Sequence, residues 1–374
     1  MSSYGASVTR ETADSCAVPS SQFMNLRVMR GPLEVRKSEI ILRHYNRLAG
    51  TNIPLGEYLH WVQDGPEGPA WHVLLENDAA KIVGHSSVIP LRCRFGERQI
   101  LAGKSEYSFI LEEYRSAKIR GFENLGKPRN AIMVHQLFLR CQAEGLGPLL
   151  ISTNSARQRS LGLVGCAAAS FLVSECLLIL RPWKAAKTTH NLQRWQRVSL
   201  GIAGVLQRSA WSLAGMFPQD SGEAHPVPVG QGISTGRNHS ALSFFGDPAS
   251  AKWRYLEGQY EQLAIEGEKG EYVILKIGAD DRYLRVCQWR LGPEQPTSKL
   301  IVKLIELAKK QQALGVRWAV YGDDERARNL GRRMRRFGFL SARRTRTLLI
   351  FSKERKFSSA GTWDLTDALF SFDP

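Results

Sequence analysis

Hydrophobic positions along the chain follow two alternating periods. From residue 71, strand-like apolar runs are joined by polar turns: "WHVLLE" (71–76), the turn Asn77-Asp78, "KIVGHSSVIPLRCRF" (81–95), the turn Gly96-Glu97, then "QILAGKSEYSFIL" (99–111). The order returns later with "YVILKI" (272–277), a turn at Ala279-Asp280-Asp281, and "YLRVCQWRL" (283–291). A helical period follows each set. Leu300, Leu304, Leu307 and Ala308 share one helix face, Gly315 ends that helix, and "VRWAVY" (316–321) reads as a buried strand. In the earlier copy Ile132, His135, Leu139 and Cys141 ride the helix, Gly145 and Gly147 end it, and 148–153 is the strand. Each copy opens near a tryptophan, Trp61 or Trp253, and continues into a second helix and a glycine. Strands, helix, strand, helix, strand, twice over, predicts an α/β chain of two repeated units, each a mixed sheet flanked by helices.

The remaining segments frame these units. Residues 1–24 read as a flexible tail without the basic-then-apolar pattern of a signal peptide. Residues 25–183 form the first predicted domain, 184–240 the connection, and 241–374 the second domain. Within the connection, 199–217 has the spacing of an amphipathic helix, and 218–240 is a linker rich in Pro, Gly and Ser. The final "GTWDLTDALFSFDP" reads as a short packed tail. One stretch, "LGLVGCAAASFLVSECLLIL" (161–180), carries a single charge, Glu175, and has about the length of a membrane span. Gly162, Gly165 and Ser170 break it, so a short helix and two buried strands are expected, with no integral membrane span.

Charge adds a direction. The formal net charge is +16, and residues 299–356 hold 17 Lys and Arg against 5 Asp and Glu. Such a balance favours anionic partners. Within "RARNLGRRMRRFGF" (326–339), Ala327, Leu330, Met334 and Phe337 mark one apolar helix face, leaving the arginines on the wet side. Arg332, Arg333, Arg335 and Arg336 are therefore either a solvated face or the place where an anionic partner docks. The six cysteines form no CxxC pair and no zinc spacing with histidine, so reduced thiols in a cytoplasmic protein without a metal are expected. No Walker loop, GxGxxG or paired carboxylates occur at useful spacing.

The order of these landmarks resembles the GNAT acyltransferase superfamily, specifically its tandem-repeat members. "KIVGHSSVIPLRCRFGERQILAGKSEYSFILEEYR" is similar to that family's central hairpin and the strand entering its coenzyme A loop. "LLISTNSARQRSLGLVG" is similar to the next strand and helix, "ECLLILRPW" to the closing strand, and "AKWRY", "YVILKI" and "RRFGF" to landmarks of the second repeat. The resemblance implies transfer of an acyl group from acetyl-CoA or another acyl-CoA to an amine or hydroxyl, on a sugar or other small anionic acceptor. It implies donor contacts from Ile110, Leu111, Arg115, Ser116, Lys118, Arg120 and Asn154. Arg115 fits the first position of the family's Gln/Arg-x-x-Gly-x-Gly/Ala loop, whereas Lys118 and Arg120 stand at its glycine positions and supply charge where the family uses backbone amides. The second copy has no such loop and is expected to be non-catalytic. Glu106 is the candidate base, with Tyr107 beside it. Other readings stay open: Glu106 as an ion-paired carboxylate, Asn154 as a helix cap, His85 and His135 as structural residues. At the level of function, the alternatives are a Fem-type peptidyl transferase using aminoacyl-tRNA, and a non-catalytic module binding nucleic acid or another anion.

Overall fold

A computed structural model of the chain describes residues 23–95, 98–152, 155–188, 198, 201–202, 204–207, 224–233, 242–244, 247–256, 258–265, 271–277, 283–291, 298–321, 325–354, 357 and 363–364. In the first half, β1 (Phe23–Arg30), β2 (Trp71–Asn77), β3 (Ile82–Phe95) and β4 (Arg98–Ile110) form an antiparallel ladder. The apolar runs read from sequence become these strands within a residue at each end. β1 begins inside the expected tail, and its Met24 is fully buried. The two-residue β5 (Lys118–Ile119) extends the sheet beside β1. Beyond β4, β6 (Leu149–Ser152) runs parallel to it. Helices Val35–Ala49 and Leu55–Gln63 pack on the sheet face carrying Tyr107. Helix Arg129–Ala143 packs on the opposite face, where Trp71 Nε1 donates to Glu144 3.1 Å away.

The second half repeats the plan with β8 (Ala224–Val227), β10 (Tyr260–Ile265), β11 (Tyr272–Ile277), β12 (Leu284–Arg290) and β13 (Gly315–Tyr321). Helix Pro248–Arg254 opens it, and helices Ser298–Lys310 and Glu325–Arg336 flank β13. β8 lies inside the stretch expected as linker. The expected helix at 199–217 is described only in part, and residues 204–207 are helical. β9 (Leu242–Phe244) pairs with β3, and the chain-end strand β15 (Trp363–Asp364) pairs with β9.

The two sheets are not separate. The first half's last strand is β7 (Ala167–Ile179), and the second half's is β14 (Leu340–Phe351). The strand order is β5-β1-β2-β3-β4-β6-β14-β7-β13-β12-β11-β10-β8, within a 15-stranded sheet. Thus β14 pairs with β6 of the first half, and β7 pairs with β13 of the second. β7 and β14 pair with each other from Leu340↔Leu177 to Ile350↔Ala167. Each half inserts its final strand into the other's sheet.

This exchange corrects the reading of 161–180. The segment is the end of helix Ser155–Gly162 followed by one long strand, not two. Its apolar density comes from pairing on both edges, which buries Phe171, Val173, Cys176 and Leu178. Glu175, its single charge, accepts from Arg317 at 2.8 Å and also pairs with Arg344, binding β7 to β13 and β14. Gly315 starts β13 and does not end the preceding helix, which stops at Lys310. A Cβ at Gly315 would collide with the Leu178 backbone, so only glycine allows that approach. Leu139, expected on the packed helix face, is exposed, while Ile132 and Cys141 are buried. The two tryptophans that open the copies meet edge to face at 5.2 Å. Their helices are tied by His60 Nε2 to the Trp253 carbonyl at 2.8 Å and by Trp253 Nε1 to the His60 carbonyl at 3.3 Å.

Candidate functional site

The site begins where two parallel strands part. β4 pairs with β6 through Gly103↔Leu149, Lys104↔Leu150 and Ser105↔Ile151, and then β4 alone continues to Ile110. Tight packing precedes the parting: a Cβ on Gly103 would lie 2.5 Å from Val88 and 2.8 Å from Leu149. Past it a cleft of about 830 Å³ opens, walled by Ser108, Phe109 and Ile110 of β4 and by Tyr45, Leu48 and Ala49 of the first helix. Its far end holds Arg115, Pro128, Arg129, Asn130 and Ser160. Pro128 caps helix Arg129–Ala143, and the first intrahelical bonds are Ala131 and Ile132 N–H to the Pro128 carbonyl. The amides of Arg129 and Asn130 precede those bonds, so the positive end of the helix dipole faces the cleft. Arg129 also donates to the carbonyls of Ala117 (2.8 Å) and Ser116 (3.4 Å), fixing the loop to the helix start.

β4 carries a bulge just beyond the parting. His85 pairs with Phe109 and Ser87 with Glu106, so two residues of β4 face one of β3. Tyr107 takes up the extra length with φ of 51°, a left-handed value that a bulky residue rarely adopts. Its ring is buried edge-on against Tyr45 (5.2 Å) and Tyr58 (4.8 Å). Its carbonyl lies 3.0 Å from His85 Nδ1, and His85 Nε2 lies 3.1 Å from His72 Nδ1. Both imidazoles are fully buried. Burial lowers the pKa of His85 to about 4, partly countered by the Tyr107 carbonyl; it lowers His72 well below the usual value, with His85 adding to the effect. Glu106 forms an ion pair with Lys104, whose side chain is 1% exposed against 11% for Glu106. Ser87 Oγ donates to the Glu106 carbonyl at 3.1 Å.

The sequence-derived residues thus divide. Ile110 and Arg115 line the cleft. Leu111 is buried, with its N–H on the Val83 carbonyl, and Ser116 meets Arg129 through its backbone. Lys118 and Arg120 lie at the sheet edge beside β1, where Arg120 pairs with Asp78 at 2.7 Å and sits over Phe23. Asn154 lies outside the described residues. Glu106 and Tyr107 sit at the bulge, outside the cleft wall. Sequence reasoning missed Arg129, Asn130, Tyr45 and Ser160. The "KPRN" signature, a proline entering a helix, was the available signal for the first two. His135 packs edge-on against Phe351 at 5.7 Å.

The described cysteines are buried, and burial pushes the thiols of Cys93 and Cys166 up to about 12 and Cys176 to about 11, which disfavours thiolate chemistry. Among the described residues no group of three His, Cys, Asp or Glu side chains is placed to hold a metal ion, and no helix is long and apolar enough to cross a membrane.

No family model and no curated protein sequence matches the chain. Solved structures do. A conserved protein of unknown function from Enterococcus faecalis V583, described as a probable N-acyltransferase, has a TM-score of 0.53 at 9% identity, covering 87% of this chain and 71% of that one. A GCN5-related N-acetyltransferase from Kribbella flavida has 0.46 at 12%, covering 87% and 71%. Eis1 from Mycobacterium abscessus has 0.47 at 10%, covering 86% and 73%. At these identities the likeness, carried by the first of the three, concerns the fold: the chain has the GNAT-type fold that its sequence landmarks resemble.

Proposed function

We propose, from the GNAT-type fold and the cleft it opens, that the protein transfers an acyl group from an acyl-CoA to an amine or hydroxyl acceptor. The observation that carries the reading is the parting of β4 and β6 directly onto the start of helix Arg129–Ala143. A helix N-terminus flanked by Arg115 and Arg129 is suited to a pyrophosphate. The polar backbone of Ser108–Ile110 suits the amide-bearing arm that follows, and the bulge at Tyr107 lies where the thioester would arrive. In this reading Tyr107 contributes backbone, its side chain being buried against Tyr45 and Tyr58. Glu106 is the base, its charge held in place by Lys104. The cofactor loop expected at Arg115, Lys118 and Arg120 is replaced by Arg115 together with the helix start. The acceptor is an amine or hydroxyl, with a small anionic molecule favoured by the chain's charge.

The test is ligand binding followed by substitution. Acetyl-CoA at millimolar concentration raises the melting temperature. Arg129→Ala weakens acyl-CoA binding about tenfold, the scale of one charge-assisted hydrogen bond. Absence of any shift across acetyl- to long-chain acyl-CoAs would end this reading. Glu106→Gln lowers turnover while leaving acyl-CoA affinity unchanged. Because that change strands a buried ammonium, Lys104→Met/Glu106→Gln serves as its folding control; equal turnover in wild type and both variants removes Glu106 from the chemistry.

A further inference from the structure

We propose that His85, braced by His72, is a positioning residue that holds the β4 bulge in shape for an acyl carbonyl. The inference rests on the acyl-CoA reading of the cleft and adds to it how the chain keeps a strained backbone in place. A left-handed tyrosine costs energy and persists only where its surroundings over-determine it. Here four side-chain contacts do so: His85 on the Tyr107 carbonyl, Ser87 on the Glu106 carbonyl, and the Tyr45 and Tyr58 rings against the Tyr107 ring.

The histidine pair has one consistent proton arrangement, assigned from its partners. A carbonyl only accepts, so His85 Nδ1 carries the proton that bonds Tyr107. A neutral His85 then offers a lone pair at Nε2, and His72 must donate from its own Nδ1. Both rings are therefore Nδ1–H tautomers, linked in one direction toward the bulge. The chain ends at His72 Nε2, a fully buried atom with no hydrogen-bond partner among the described residues. Burying two imidazoles and leaving one lone pair unmet costs more than an apolar pair of the same size would. A purely structural role at 72 and 85 would be served better by apolar side chains. What the histidines add is a directed donor aimed at one carbonyl, that of Tyr107, directly before Ser108, where β4 begins to wall the cleft.

Two measurements on the full-length protein test this. With ¹⁵N-labelled histidine, long-range imidazole correlations at pH 7, assigned with His85→Asn and His72→Gln, are expected to show Nδ1–H on both rings. An Nε2–H signature on either ring overturns the relay. Calorimetry then compares acetyl-CoA with CoA. Wild type prefers acetyl-CoA; His85→Ala loses about fivefold of that preference, the worth of one hydrogen bond, while CoA affinity stays within about twofold. His85→Asn, whose amide can still donate to the Tyr107 carbonyl, restores the preference. Parallel loss of both affinities, an unchanged ratio in His85→Ala, or no preference in wild type overturns the positioning role. If wild type binds neither ligand, the acyl-CoA reading fails and the positioning role with it, while the tautomers still decide whether the clamp exists.

Discussion

Both rings of the His72–His85 pair are neutral at pH 7, because neither interior position can solvate an imidazolium. The consequence for stability has a definite sign. In the unfolded chain a histidine takes up its proton near pH 6.5, whereas folded His85 resists until about pH 4. Between those values the unfolded state binds more protons, so stability falls as pH drops through that window. Full development of the shift is worth about 3 kcal/mol at His85, and His72 acts in the same direction. Thermal melting from pH 7.5 to 4 is expected to show this loss, and His85→Asn to flatten it. A wild-type Tm unchanged between pH 7 and 4.5 would contradict the neutral pair. The sequence offered His85 only as a lone strand histidine. Its partner lies thirteen positions away on the next strand, and bringing the two rings together needs the β2–β3 register, which residue spacing does not contain.

At the scale of elements the hydrophobic period carried most of the information. The arginine-rich helix shows why: Ala327, Leu330 and Met334 are buried as their spacing requires, while Arg328, Arg332, Arg335 and Arg336 are exposed. Leu330→Ala is expected to cost about 2–4 kcal/mol through the cavity it leaves. Arg332→Ala and Arg335→Ala together should stay within about 0.5 kcal/mol of wild type, as solvated charges do. Chemical denaturation of the three variants checks both halves of the prediction, and a large loss from the arginine changes would show that the wet face packs against something. Strand positions were equally legible, since alternation and polar turns mark them. The cleft was not. It arises because β4 outlasts its pairing with β6 and because Pro128 starts a helix at that point, and both facts depend on how separate elements meet. Lys118 and Arg120 are expected at the cofactor because they stand at the glycine positions of the loop the sequence resembles; what spacing does not contain is the two-residue pairing with β1 that holds this segment at the sheet edge.

At the scale of the whole molecule, the exchange of β7 and β14 makes the two repeats interdependent. Without the second half, β6 would lose β14, and β7 would lose both of its neighbours. The cores cross the same boundary. Tyr255, Tyr260, Ile274 and Leu348–Ile350 belong to the cluster built around the first half's sheet, while Cys176 and Leu178 of β7 belong to the cluster of the second. A repeat is visible in sequence because each copy keeps its own periodicity; the exchange is invisible there because a swapped strand has the same alternation as an unswapped one. Interleaved cores of this kind unfold together. The intact chain should therefore melt in one transition, with a calorimetric enthalpy equal to its van't Hoff value. Residues 1–207 and 208–374 expressed separately should each fail to give a cooperative transition, because β7 in the first piece and β14 in the second each lose both of their sheet neighbours. Mixed from denaturant, the two pieces should re-form a 1:1 complex that melts as one and binds acetyl-CoA if the intact chain does. Independent cooperative folding of either piece would show that the strand exchange is dispensable, and would make the cleft the property of the first repeat alone.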